Sequence, residues 1–379
     1  MAVPLGTPRV RGSETSDAGA RERAAEVAAE LHRRAVDAPR RGPLLDRFGR
    51  VGQDLRISLT DKCNLRCTYC MPAEGLPWAP RASLLTAAEV RRLVRIGVAD
   101  LGVRELRLTG GEPLLRRDLE DIVAAVRADH PGLPVSITTN AIGLARRAAP
   151  LAAAGLTRIN VSLDTIDADT YRRLARRDRL ADVLAGLRAA TAAGLDPVKL
   201  NAVLMRGVND DQAPDLLAFA LDHGHELRFI EQMPLDGDHG WTRRDMVTAA
   251  EIRASLGERY TLAPDDAPRG GAPAERYRVL DADGAELGRV GVIASVTEPF
   301  CGACTRTRLT AQGFVRSCLF SHEEFDLGAL LRSGAEDADI ALAWRRAMWL
   351  KPAAHGMDRP GLGGADYVQP ERSMSEIGG

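Results

Sequence analysis

Three cysteines, Cys63, Cys67 and Cys70, form a Cys-x3-Cys-x2-Cys run inside the stretch Arg56–Pro72, Arg-Ile-Ser-Leu-Thr-Asp-Lys-Cys-Asn-Leu-Arg-Cys-Thr-Tyr-Cys-Met-Pro. Thiolates are soft ligands that select iron–sulfur clusters, zinc or Cu(I). A [4Fe–4S] cluster ordinarily takes four cysteines. Three in one tight loop would leave one iron open to a small molecule. A structural zinc site is closed by a fourth side chain, and no histidine or further cysteine lies near this loop. The plain alternative is three structural thiols.

A second group comprises Cys301-Gly-Ala-Cys304 and, after thirteen residues, Cys318. His322 follows four residues later, so a Cys3His zinc site is arithmetically available. From this segment alone, zinc and a cluster stay equally open. The two triplets use all six cysteines of the chain. The first 40 residues hold no continuous apolar core of signal-peptide type. No run of about 20 apolar residues occurs. The expected setting is a reducing cytoplasm, with thiols engaged by metal and not paired as disulfides.

With Tyr69 between its last two cysteines, the first run resembles the signature of the radical S-adenosylmethionine (SAM) enzymes. The longer string Arg56–Pro72 is similar to the GTP 3′,8-cyclase family of molybdenum cofactor biosynthesis. The likeness runs from about Leu45 to the end of the chain. It implies two [4Fe–4S] clusters, one on Cys63, Cys67 and Cys70 and one on Cys301, Cys304 and Cys318. The flanks of the second group, Pro299-Phe300 and Thr305-Arg306-Thr307-Arg308, share in the resemblance and favour a cluster there over zinc. It further implies SAM contacts from Tyr69, Gly111, Ser162 and Met233, and GTP contacts from Arg56, Arg107, Thr138, Lys199, Arg306, Thr307 and Arg308. The terminal Gly378-Gly379 matches the family's ending, whose tail reaches towards the active site. The implied chemistry is reductive cleavage of SAM to a 5′-deoxyadenosyl radical, which takes the ribose H3′ of GTP. The carbon radical then attacks C8 of guanine.

Other readings of these residues are blander. Gly110-Gly111 alone is a turn, and a methionine at a strand end is ordinary core. An isolated Arg-x-Arg in an arginine-rich chain is a solvated pair. Shared placement sets them apart. The elements that must carry these residues alternate strand and helix from Leu55 to Met233. Expected strands are Leu55–Leu59, Val103–Leu108, Val135–Thr139, Arg158–Leu163, Val198–Leu204 and Glu226–Met233. Helices fall between them, the first opened by a Thr86/Glu89 capping box. Nearly every candidate residue lies at or just beyond the C-terminal end of such a strand, where barrel folds collect their active sites. Six strands are too few for a closed eight-stranded barrel. The fold class is therefore α/β, a partial (β/α)6 barrel open on one side, followed by a C-terminal α+β region carrying the second cluster.

The expected division is an N-terminal extension over residues 1–43, partly disordered or helical, and a partial barrel over 44–235. The auxiliary-cluster region takes 236–351, and a tail 352–379. The formal net charge of −1 argues against a nucleic-acid or membrane partner. No Gly-x4-Gly-Lys-Ser/Thr loop is present, so a triphosphate would be held by arginine forks and not by a P-loop. The resemblance implies GTP, an electron donor and, downstream, cyclic pyranopterin monophosphate synthase as partners, with a homodimer allowed. Two rivals remain at this level: another radical SAM enzyme with an auxiliary cluster, such as a peptide maturase, and a non-catalytic protein with a C-terminal zinc site.

Overall fold

The computed structural model describes residues 29–355, 369–370 and 372–377. The expected helical segment over 14–37 lies partly outside these residues; within them, 29–34 are helical. Two short strands, β1 (Leu44–Leu45) and β2 (Val51–Gly52), pair as an antiparallel ribbon.

Six strands then alternate with helices. They are β3 (Asp54–Ser58), β4 (Glu105–Thr109), β5 (Val135–Thr139), β6 (Arg158–Ser162), β7 (Lys199–Val203) and β8 (Glu226–Ile230). The helices between them are α1 (Ala87–Leu101), α2 (Leu119–Asp129), α3 (Leu144–Ala153), α4 (Ala168–Ala175), α5 (Leu180–Ala192) and α6 (Ala213–Asp222). The reasons are local. Thr86 and Glu89 close the expected capping box on α1, and Gly102 ends that helix at φ +76°. Gly194 turns the chain after α5 at φ +72°, a conformation that glycine adopts without strain. The strands alternate as a half-lined barrel should. In β3, Leu55 and Ile57 enter the hydrophobic core under the helices, while Asp54, Arg56 and Ser58 face the other way.

The C-terminal region does not stand apart from this sheet. After α7 (Ala249–Gly257) come β9 (Thr261–Pro264), β10 (Glu275–Leu280) and β11 (Glu286–Ile293), antiparallel among themselves as expected. Three strands that the sequence reading did not list follow: β12 (Arg306–Leu309), β13 (Phe314–Arg316) and β14 (Phe325–Asp326). Helices α8 (Leu327–Arg332) and α9 (Asp337–Trp349) follow, and α10 (Met374–Ile377) lies in the tail. The sheet order is β14-β13-β12-β3-β4-β5-β6-β7-β8-β11-β10-β9. Both β11 against β8 and β12 against β3 are parallel. The six-stranded barrel is thus lengthened at each edge by a parallel strand from the C-terminal half, giving eight in succession. Because β11 and β12 do not pair with each other, the barrel stays open.

Glu231 pins this junction. It is fully buried at the end of β8 and accepts from the amides of Ala249, Val296 and Thr297 at 2.8, 2.7 and 2.9 Å, and from the Thr297 hydroxyl. Removing the carboxylate would strand three buried donors, each costing about 1–3 kcal/mol. Glu231→Ala is expected to lower stability by more than about 3 kcal/mol, read as a large fall in the thermal midpoint. A fall comparable to that of a surface substitution would show that Glu231 does not hold the two halves together.

Candidate active site

The first cysteine loop leaves β3 and is stitched to the turn after β4. Gly111 N donates to Thr60 O at 2.8 Å and Glu112 N to Lys62 O at 2.7 Å. A Cβ on Gly111 would lie 2.4 Å from Lys62 O and 2.5 Å from Asp61 O, and one on Gly110, at φ +150°, 2.4 Å from Thr60 O. The glycine pair is therefore required by the close approach of the cysteine loop's own backbone, whatever else it touches.

Neighbouring strand ends complete the support. Glu112 is fully buried; Thr139 Oγ1 donates to it at 2.6 Å, Asn140 N at 2.7 Å and Leu114 N at 2.9 Å. Burial pushes its carboxyl up to about 7. Asn140 in turn donates to Asn64 Oδ1 at 2.7 Å, inside the cysteine loop. Tyr69 Oη donates to Asp164 Oδ2 at 2.8 Å, and Val203 N to Asp164 Oδ1 at 2.9 Å. Sequence reasoning left Asp164 without a role. The structure makes it the buried acceptor that fixes Tyr69, and burial raises its pKa to about 6.

The second group sits on β12 and the loops around it. Cys301 opens a short 3-10 turn, Cys301–Ala303, and Cys304 leads directly into β12. Cys318 follows β13. All six cysteines are free and partly buried, and all six line one cavity. Residues from β3 through β8, β11 and β12 share its wall, which a flat sheet could not arrange. Among the described residues, no three His, Cys, Asp or Glu side chains gather closely enough for a single metal ion.

The cavity is strongly cationic on one side. Arg308 is in register with Arg56, and Arg56 with Arg107, across β12, β3 and β4. All three are buried. The carboxylate among them is Asp54, whose Oδ2 accepts from Arg56 Nη2 at 3.2 Å. Asp54 Oδ1 and Arg107 Nε have no hydrogen-bond partner among the described residues. Burial and mutual repulsion push Arg56 and Arg107 down to about 10 and Arg308 to about 9. Although burial opposes it, Arg56, Arg107 and Arg306 hold Asp54 at about 2. Crowded, desolvated guanidiniums of this kind call for a multivalent anion.

Of the residues singled out by sequence, Tyr69, Gly111, Ser162 and Met233 line the cavity, as do Arg56, Arg107, Thr138, Arg306 and Arg308. Two do not sit as expected. Lys199 is bound to Glu226, at 2.8 and 2.7 Å, and is not part of the cavity wall. Thr307 lies between two inward arginines, so alternation turns its side chain outward, where Trp344 Nε1 donates to its Oγ1 at 2.9 Å. Gly378 and Gly379 fall outside the described residues. The tail before them does dock: Arg372 pairs with buried Glu324, and Met374 N donates to Leu235 O at 3.0 Å. Met374 and Ser375 join the cavity wall. Arg228 was missed. It is buried on β8, lines the cavity and donates to Asn160 Oδ1 at 2.7 Å. Its signal was the inward parity it shares with Ile230 on β8.

The sequence relationships agree with this geometry. A model of the radical SAM superfamily matches residues 57–220, and a model described as Molybdenum Cofactor Synthesis C matches 225–357. A GTP 3′,8-cyclase of Paenarthrobacter nicotinovorans is 64% identical over 343 residues, 89% of this chain and 97% of that protein. Those of Streptomyces coelicolor and Mycolicibacterium smegmatis are 59% and 57% identical, over 89% and 91% of this chain and 96% and 94% of theirs. The chain belongs to the GTP 3′,8-cyclase family. Among solved structures, Streptococcus suis SuiB bound to S-adenosylmethionine is 17% identical with a TM-score of 0.45. That match covers 65% of this chain and about half of SuiB, 53%. As in the family at large, the cofactors are two [4Fe–4S] clusters and SAM. Among the described residues no helix is long and apolar enough to cross a membrane.

The thiols differ sharply in acidity. Burial raises Cys63 to about 11 and Cys70 to about 12. Burial also opposes ionisation of Cys304, but Arg306 and Lys351 overcome it and bring that thiol down to about 6. In metal-free protein, Cys304 is thus a thiolate at pH 7 while Cys63 and Cys70 are thiols. Alkylation by iodoacetamide followed by peptide mapping should label Cys304 first, with a half-maximal rate near pH 6. Equal labelling of the three at pH 7 would contradict this assignment of charge.

Proposed function

We propose that this cavity carries out the reaction of the family, the conversion of GTP to (8S)-3′,8-cyclo-7,8-dihydroguanosine 5′-triphosphate, an early step of molybdenum cofactor biosynthesis. The observation that carries the reading is the shared chamber: two thiol triplets line one cavity, and a row of buried arginines lines it with them. Cys63, Cys67 and Cys70 would hold the first cluster, and Cys301, Cys304 and Cys318 the second. When bound, the first cluster supplies the electron that cleaves SAM, and SAM supplies the radical that takes H3′ of the ribose. The thiol spacing fits such groups, because each triplet is free, partly buried and leaves one ligand position to a small molecule.

The protein's own residues bind, orient and exclude. Tyr69, Gly111, Ser162 and Met233 would surround SAM beside the first triplet. Arg56, Arg107, Arg306 and Arg308 would take the triphosphate by bidentate contacts that relieve their mutual repulsion, and Thr138 would contribute a hydroxyl. Lys199 would reach a phosphate only by leaving Glu226, and Thr307 would contribute through its backbone. The docked tail contributes Met374 and Ser375 to the chamber wall, and the family resemblance assigns a role in the reaction to Gly378 and Gly379. Excluding water matters here, since a carbon radical in an open site would be quenched. H3′ leaves on 5′-deoxyadenosine, and one electron and one proton complete the product, which is therefore isomeric with GTP. An external electron donor is a required partner, and the downstream cyclic pyranopterin monophosphate synthase consumes the product.

Mass spectrometry of anaerobic, reduced turnovers tests this. With GTP and SAM the protein should give 5′-deoxyadenosine and a cyclised isomer of GTP, with about eight irons per chain after reconstitution. Cys63→Ala should abolish SAM cleavage. Cys304→Ala should leave some uncoupled cleavage and no cyclised nucleotide. Arg308→Ala should lower kcat/KM for GTP about 100-fold through one lost charged contact. Wild-type product formation by Cys304→Ala would remove the second triplet from the reaction.

A further inference from the structure

The loop bearing Cys301 and Cys304 is held by two buried cations that no step above uses. Lys351, just beyond α9, is 3% exposed. Its ammonium donates to Cys304 O at 3.1 Å and to Arg306 O at 2.8 Å. Arg50, from the turn between β1 and β2, donates to Cys301 O at 2.7 Å and, beyond the loop, to Pro352 O at 2.5 Å and Ala353 O at 2.9 Å. Arg50 is matched by a carboxylate, with Asp46 Oδ2 at 2.5 Å and fully buried. Among the described residues Lys351 has no carboxylate partner; its acceptors are neutral carbonyls. A buried ammonium without a counter-ion is costly. Burial lowers the pKa of Lys351 and the charge of the Cys304 thiolate opposes that; the Cys304 sulfur itself accepts from Arg306 Nε at 3.3 Å.

We propose that Lys351 is a positioning and tuning residue for the second cluster: its fixed positive charge, held against the Cys304–Arg306 backbone, raises that cluster's reduction potential. This rests on the reading that Cys301, Cys304 and Cys318 ligate a cluster. Reduction adds negative charge to a cluster, and net charge, hydrogen bonding and exposure set its potential. A buried cation close by favours the reduced state, because little solvent screens the pair. Arg306 shares this duty but also faces the cavity, so its effect would merge with substrate binding. Lys351 does not line the cavity, which makes its contribution separable.

The experiment is an EPR-monitored redox titration, without GTP, of protein whose first triplet is replaced by alanine, so that the signal is that of the second cluster. Lys351→Gln keeps an amide donor and removes the charge; Lys351→Met removes both; Lys351→Arg keeps the charge. The midpoint should move negative in the Gln and Met variants and stay near wild type in the Arg variant. If Lys351 only braced the loop, the Gln and Met variants would lose iron while the clusters that remain kept the wild-type midpoint. That outcome, or a positive shift, overturns the proposal. Should the Met variant fail to load, the Gln variant decides. No cluster signal from the unsubstituted second triplet would instead defeat the reading beneath, and the two failures are distinct.

Discussion

Three arginines stand side by side on neighbouring strands, desolvated, with Asp54 as the carboxylate among them. Everything else in the site follows from tolerating that arrangement. Burial is costly for these charges and neighbouring guanidiniums repel them, as the lowered pKa values of Arg56, Arg107 and Arg308 express. The fold supports the strain with a sheet whose outer face is closely packed: Leu55, Ile57, Leu106, Leu108 and Leu309 are all buried beneath the helices. In the proposed reaction an incoming triphosphate would convert repulsion into binding. The parallel pairing of β12 with β3 is decisive, since it brings Arg306 and Arg308 of the C-terminal half to the barrel.

That pairing also explains why the two cysteine groups, more than 200 residues apart in sequence, share a chamber. Cys304 lies two residues before Arg306, which opens the strand that extends the barrel edge, and the first loop follows the strand beside it. One hydrogen-bonded edge thus fixes both thiol groups and the row of guanidiniums. Glu231 seals the opposite edge, tying the end of β8 to the segment after β11. The short docked tail adds Met374 and Ser375 to the cavity wall.

Much of this was legible in the chain. The strand–helix alternation, the capping box at Thr86 and the placement of the strand-end motifs all follow from periodicity and local chemistry, and the structure repeats them within a few residues. What was not legible depended on non-local pairing. Strands β12, β13 and β14 are four, three and two residues long, too short for an alternation signal; β12 forms on the edge that β3 offers, β13 on β12 and β14 on β13. The family resemblance implies GTP contacts from Thr307 and Lys199, whereas alternation places the Thr307 side chain on the other face and the register with Glu226 gives Lys199 an ionic partner. Arg228 sits in a plain strand position and Asp164 just beyond the end of β6, with nothing local to mark either until Asn160 of β6 and Tyr69 of the cysteine loop supply their partners.

The central claim is that both clusters face one chamber, and magnetic resonance tests it most directly. In fully reduced, doubly loaded protein the two paramagnetic clusters should couple. The spectrum should be broadened and relax faster than the sum of those from the two proteins that each keep one cysteine triplet. A spectrum equal to that sum would place the clusters in separate compartments and contradict the account.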